Sequence, residues 1–148
     1  MGGYKTVVVG TDGSDSSMRA VDRAAQLASG PDSRLILVTA FIQGAEDHRA
    51  QDVLKDESYK ATGHGPAFEI LHDARDRAQS AGATNIEERA IDGAPVDVLV
   101  DVVVAEKADL LVVGNLGLSS IAGRLLGSVP ANVARRAKSD VLIVHTTG

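Results

Sequence analysis

Five short aliphatic or β-branched runs, separated by stretches with helical spacing, constrain this chain more than any other feature. The runs are Thr6–Val9, Leu35–Phe41, Ile86–Ile91, Leu110–Val113 and Val141–Val144. All but the third are nearly continuous in apolar residues. A run without polar alternation reads as a strand covered on both faces. The third run, Ile86-Glu87-Glu88-Arg89-Ala90-Ile91, is polar and belongs at a sheet edge.

The intervening segments have a different period. Met18, Val21, Ala25 and Ala28 mark a first helix, and Ala67, Leu71, Ala74, Ala78 and Ala81 a second. Val96, Leu99, Val100 and Val103 form the inner side of a third, and Val129, Val133, Ala134 and Ala137 belong to a fourth. Punctuation agrees. Thr11-Asp12-Gly13-Ser14-Asp15-Ser16 offers several N-caps, Gly30-Pro31 stops the first helix, Gly82 closes the second, and Ser128 caps the fourth. The third helix is rich in valine, which locally favours strand. Asp97, Asp101 and Glu106 break any alternation there, however, and Pro95 suits a first helical turn. Gln43–Gly65 is a polar surface excursion with room for one short helix. Its length suits either a cover over a site or a mobile loop without a role.

Five strands and four helices thus alternate without a repeat. This alternation predicts an α/β fold: a three-layer α/β/α sandwich around a five-stranded parallel sheet. Right-handed crossovers favour the strand order 3-2-1-4-5, a Rossmann-like arrangement. The 148 residues suit one domain, spanning 1–148, with a sizeable core. That core is built from aliphatic residues, because the chain has no tryptophan, two phenylalanines and two tyrosines.

Composition narrows the function classes. The formal net charge of −5 disfavours a nucleic-acid surface. Arg135, Arg136 and Lys138 form a local basic cluster that complements a helix C-terminus. With no cysteine, thiolate chemistry and disulfides are excluded. Met1 to Lys5 runs into the first strand without a signal peptide, and no apolar run reaches the roughly 18 residues of a membrane span. A cytoplasmic location with no membrane partner is the expectation. His48, His64, His72 and His145 have no ligand spacing and read as surface or structural residues, so no metal site is assigned.

Ligands of doubly wound sheets bind where strand order reverses, here between strands one and four. Two loops meet at that point. The first strand leaves through Gly10, Thr11 and Asp12. The fourth ends at Val113 and leaves through Gly114-Asn115-Leu116-Gly117, followed nine residues later by Gly127-Ser128-Val129. Glycine lets backbone approach an anion or adopt positive φ, and successive N–H groups then form a nest. The N–H groups of the following helix point the same way, and Ser128 adds a hydroxyl. Pro130 removes one N–H that is orphaned in any case. Arg124, between the two halves, either reaches a phosphate or stays solvated. Asp12 would repel phosphate directly, which places it near ribose hydroxyls, a base or a cation, or leaves it as a helix cap. Thr11 is either part of the site or turn filler. Thr39 and Ala40, at the end of strand two, either border a flat ring or pack as ordinary strand residues.

These residues together resemble the universal stress protein family, over essentially the full chain. Val9-Gly10-Thr11-Asp12-Gly13-Ser14 is similar to that family's opening strand and turn. Gly114, Gly117, Gly127 and Ser128 match its spaced nucleotide motif: glycine, two residues, glycine, nine residues, glycine, then a small hydroxyl residue. The resemblance implies ATP or cyclic AMP at the switch point, as in small single-domain actinobacterial members. It places Asp12 at ribose or adenine, backbone groups of Ala40 at adenine, and Gly114, Gly117, Gly127, Ser128 and Val129 around ribose and phosphates. With ATP, Mg²⁺ would accompany the phosphates. Leu116 stands where relatives commonly carry arginine or histidine, which removes a cationic partner for a polyphosphate and favours a ligand with one phosphate. The resemblance also implies a homodimer through Val141–Val144, an apolar edge that needs covering.

A dedicated enzyme is the weaker expectation. Asp12 is the one evident acidic candidate and lies away from a terminal phosphate. No P-loop lysine follows a glycine-rich turn. The Gly10-Thr11-Asp12-Gly13 turn lacks a Rossmann dehydrogenase fingerprint, and a receiver-domain acidic cluster is missing. An ATP pyrophosphatase is left as a fold analogy. No catalytic residue is assigned. The expected function is adenine-nucleotide binding in a stress-response regulator or nucleotide buffer, with a slow ATP hydrolase or autophosphorylating switch as the alternative.

Overall fold

The computed structural model describes residues 3–41, 64–115, 118–119, 125–126 and 129–146. In chain order the elements are β1 (Thr6–Gly10), α1 (Asp15–Leu27), β2 (Arg34–Phe41), α2 (His64–Ser80), β3 (Ile86–Asp92), α3 (Pro95–Glu106), β4 (Leu110–Gly114), the two-residue strands β5 (Leu118–Ser119) and β6 (Leu125–Leu126), α4 (Val129–Arg136) and β7 (Asp140–Val144). Five strands form one parallel sheet in the order β3-β2-β1-β4-β7. This is the expected 3-2-1-4-5 order, because β7 is the fifth strand of the main sheet. β5 and β6 pair antiparallel with each other, Leu118 opposite Leu126 and Ser119 opposite Leu125. The sequence did not predict this hairpin: two-residue strands are too short to carry a period.

Successive residues of a strand face opposite sides, so each apolar run feeds two cores. Val7, Val9, Leu35, Leu37, Leu110 and Val112 pack with α1 and α2. Val8, Ile36, Val38, Leu111 and Val113 pack with α3 and α4. Burying a valine or leucine side chain contributes roughly 1.5–3 kcal/mol, which makes these two layers the main stabilising term.

Four local expectations change. The excursion was expected to run to Gly65, but α2 already begins at His64, with Pro66 in its first turn, where a missing N–H leaves no broken bond. Residues 42–63 lie outside the described residues. Ala81 falls just beyond α2, whose end is closed by Gly82 at φ +116° and by the Ala83 N–H returning to the Ala78 carbonyl at 3.1 Å. In α3 the buried face is Val98, Leu99, Val102 and Val103, whereas Val96 and Val100 are half-buried. Valine occurs on every side of that helix, so the pattern left its rotation open. In α4, Val129 and Val133 are buried, but Ala134 is exposed.

The two sheet edges differ in chemistry. Glu87 and Arg89 of β3 lie in an ion-pair network with Arg34 and Glu106, and Glu88 pairs with Arg75 of α2. β7 presents half-buried Val141 and Leu142, with Ile143 42% exposed. Among the described residues, no helix is long and apolar enough to cross a membrane.

Candidate functional site

The switch point lies between β1 and β4, which pair with Val9 opposite Val112. From there β1 leads into α1 on one face, and β4 leads towards α4 on the other. The Gly10–Asp12 and Val113–Asn115 segments therefore leave adjacent strands at the same end of the sheet. This is the juxtaposition that the sequence pattern predicts.

The β1 exit is a closed hydrogen-bonded turn. The Thr11 N–H donates to the Val38 carbonyl at 2.9 Å, which keeps the chain on β2. The Thr11 hydroxyl, buried beside α1, lies 2.8 Å from Ser17 Oγ and accepts from the Gly13 N–H at 3.1 Å. Ser17 Oγ donates to the Ser14 carbonyl at 3.0 Å and accepts from the Asp12 N–H at 3.2 Å. Ser14 is the N-cap of α1, accepting from the Ser17 N–H at 3.2 Å. Asp12 is thereby released from the cap. Its Oδ1 accepts from the Ser14 N–H at 3.0 Å, and the side chain is half-buried. Gly13 holds φ +85° with Ile70 close by: a Cβ there would lie 3.1 Å from Ile70 Cγ1. Glycine is therefore favoured by the backbone conformation, and a side chain would also press on Ile70.

The β4 exit is built differently. Gly114 is buried and lies outside the positive-φ glycines Gly13, Gly82 and Gly93. A Cβ on Gly114 would sit 3.0 Å from Ser16 Oγ and 3.4 Å from both the Ser16 carbonyl oxygen and Thr146 Cγ2. Its missing side chain thus admits α1 and the segment after β7. Asn115 follows, its N–H donating to the Val144 carbonyl at 2.9 Å.

The remaining predicted residues divide. Gly10 is buried in β1, level with Val38. Ala40 is half-buried against the α3–α4 core, and Thr39, one residue earlier, is buried and turned to the opposite face. Val113 and Val129 are buried in that same α3–α4 core. The small residues Gly10 and Ala40 therefore border the switch point on the α3–α4 side, while Thr11 and Thr39 face α1 and α2. Gly117, Arg124, Gly127 and Ser128, with Leu116, lie outside the described residues. The β5–β6 pairing nevertheless brings together the two ends of the spacer between Gly117 and Gly127.

Sequence inspection passed over Ser17, Arg19 and Thr146, and gave Ser16 only a capping role and Asn115 only a place in the glycine loop. Their signal was faint: small polar residues at a helix start, at a strand exit and just past the last strand. Among the described residues no group of three acidic or histidine side chains is placed to hold a metal. Arg136 of the basic cluster pairs with Asp97 at 3.0 Å, and Arg135 donates to Asn132 Oδ1 at 2.8 Å. Both serve the end of α4.

Comparison with known proteins bears on this geometry. The universal stress protein family model matches residues 3–145. Universal stress protein Rv1636 of Mycobacterium tuberculosis is 72% identical over 147 residues, covering 99% of this chain and 100% of that protein. A universal stress protein solved in complex with cAMP shares 57% identity and a TM-score of 0.75, over 98% of this chain and 99% of that one. A universal stress protein from Archaeoglobus fulgidus, solved in complex with dAMP, shares 26% identity and a TM-score of 0.67, over 95% of this chain and 97% of that one. With the β1 and β4 exits side by side, a spaced glycine motif and full-length matches of this strength, the chain belongs to the universal stress protein family.

Proposed function

We propose that this protein binds an adenine nucleotide at the β1–β4 switch point, with cyclic AMP as the preferred ligand, and acts as a regulator or buffer of that nucleotide. The observation that carries the reading is the relative solved with cAMP, which is 57% identical over nearly the whole chain and shares its fold. The crevice is chemically suited to the ligand. Gly10 and Ala40 leave the α3–α4 side of the strand ends low, as a flat purine requires. Asp12, held by the Ser14 N–H, supplies a carboxylate acceptor for ribose hydroxyls or an adenine amine. Thr11, Thr39 and Val113 shape the floor through their backbones. Gly114, Gly117, Gly127, Ser128 and Val129 supply backbone N–H groups and a hydroxyl to the phosphate, with Arg124 as its cationic partner.

Leu116 favours one phosphate over three, because a neutral side chain there adds no charge against a polyphosphate. Mg²⁺ enters only when the ligand is ATP. Calorimetric titration with cyclic AMP and with ATP tests the reading. Saturable heat is expected with cyclic AMP and weaker heat with ATP; no saturable heat with either overturns it. Gly117→Asp should abolish binding by adding bulk and negative charge to the cradle, and unchanged affinity in a folded variant would place the phosphate elsewhere. A product-detecting ATP assay should show no turnover above background.

The same proposal includes a cytoplasmic homodimer formed through β7. Support comes from the exposed Ile143 and the half-buried Val141 and Leu142 on an unpaired edge. Antiparallel pairing across a two-fold axis would extend the sheet and cover both edges. Ile143→Asp should turn a dimer into a monomer in sedimentation velocity, and a wild-type monomer would dismiss this interface.

A further inference from the structure

We propose that Thr146 and Asn115 are positioning residues of the nucleotide site, acting as a clasp that sets where the glycine loop starts. The inference rests on the nucleotide reading above, and it concerns residues that no ligand contact is assigned to.

Thr146 lies two residues past β7 and is only 4% exposed. Its N–H donates to Asn115 Oδ1 at 2.9 Å, and its hydroxyl donates to the same oxygen at 2.8 Å. With that proton committed, Ser16 Oγ, 2.5 Å away, is the donor to Thr146 Oγ1. The Arg19 guanidinium donates to the Thr146 carbonyl. Every polar group of Thr146 is thus bonded, to three residues from two separate elements. Asn115 is held twice, by its side chain on Thr146 and by its N–H on the Val144 carbonyl at 2.9 Å.

The location gives the clasp its meaning. Asn115 is the second residue of the loop from Gly114 to Gly117. Gly114 is wedged between Ser16 and Thr146, with no room even for a methyl group unless a neighbour moves. The α1 side of the β4 exit is therefore filled by protein, and a phosphate can approach Gly114 only from the opposite side. The direction in which the loop departs is set before any ligand arrives. Gly114 and Asn115, held in place before binding, lose less conformational entropy than the same residues left free, which raises affinity. The clasp is also uncharged apart from Arg19, so it orients the loop without adding a carboxylate near the phosphate.

The test is calorimetric titration of the full chain with cyclic AMP, comparing wild type, Thr146→Val, Thr146→Ser and Arg34→Met. Thr146→Val keeps the branched shape and removes the hydroxyl. It should raise Kd about tenfold, the scale of one lost buried hydrogen bond carried into binding. Thr146→Ser keeps the hydroxyl and should stay near the wild-type Kd. Arg34→Met, in the distant ion-pair network, lowers stability and should leave Kd unchanged. If Thr146→Val binds as wild type, or if Arg34→Met weakens binding as much, the clasp has no positioning role. If Thr146→Val does not fold, Ser16→Ala decides by the same criterion, with a several-fold rise in Kd expected and an unchanged Kd overturning the proposal. Absence of saturable binding by the wild type would instead overturn the nucleotide reading itself, which keeps the two failures apart.

Discussion

The crevice between β1 and β4 and the outer edge formed by β2 and β3 both place polar side chains on a parallel sheet, yet they use opposite chemistry. At the switch point the turn from Thr11 to Ser17 and the contact between Asn115 and Thr146 are held mainly by hydroxyls, an amide and backbone groups. At the edge, Arg34 bridges Glu87 at 2.9 Å and Glu106 at 3.0 Å, and Arg89 meets Glu87 at 2.6 Å. The Arg34 guanidinium, hydrogen-bonded to Glu87, holds that carboxyl below its ordinary range, and Glu87 in turn raises the Arg34 value. Neutral bonds order a backbone without presenting a fixed charge to an incoming anion. Charges at the edge pair with one another and discourage the addition of a foreign strand. The difference teaches that stability and ligand affinity are separable in this fold: variants at the crevice should move both, and variants at the edge only stability.

The largest effect should come from Gly114→Val. Its side chain has no space between Ser16 and Thr146, so overpacking should cost about 2–3 kcal/mol in urea denaturation and also weaken cyclic AMP binding. Wild-type affinity in that variant would erase the contrast between the regions. Arg34→Met comes next. It leaves Glu87 and Glu106 with Arg89 as their remaining cation in the network, and a loss of about 1–2 kcal/mol follows, between the ranges for exposed and buried pairs. Ser14→Ala removes the α1 N-cap and should cost about 1 kcal/mol. Alanine keeps the backbone N–H that holds Asp12, so calorimetry beside denaturation should show a smaller loss of cyclic AMP binding than in Gly114→Val.

The smallest effect is acid sensitivity at the edge. Glu87 has a folded pKa below its unfolded one, so its stabilisation is present above the unfolded value, about 4.3, and is lost as pH falls through the folded value. Glu87→Gln should flatten that acid limb when urea midpoints are followed from neutral pH downwards. An unchanged limb would remove Glu87 from the account.

Much of the fold could be read from residues alone. The aliphatic runs identified four strands of the main sheet, and the polar run identified the fifth, the β3 edge. The meeting of the β1 and β4 exits followed from strand order. Other features escaped for physical reasons. The rotation of α3 was hidden because valine occupies every side of it. The β5–β6 hairpin is too short for periodicity. The clasp joins Ser16, Asn115 and Thr146 across up to 130 residues of sequence, and no local pattern encodes such a contact. Glycine at 114 was legible as special, but its described role is close packing on α1 and the final segment rather than an unusual backbone angle.

The sequence by itself therefore determined the layers, the strand order and the end of the sheet where the β1 and β4 exits meet. These depend on periodicity, handedness and the burial of apolar runs, which are properties of local stretches summed along the chain. Only the tertiary structure decided what packs on each face of the β1 and β4 ends. It filled the α1 side with hydroxyls and the Thr146 segment and left Gly10 and Ala40 on the other. That choice depends on side chains distant in sequence meeting at hydrogen-bonding distance, a quantity that exists only once the chain has folded.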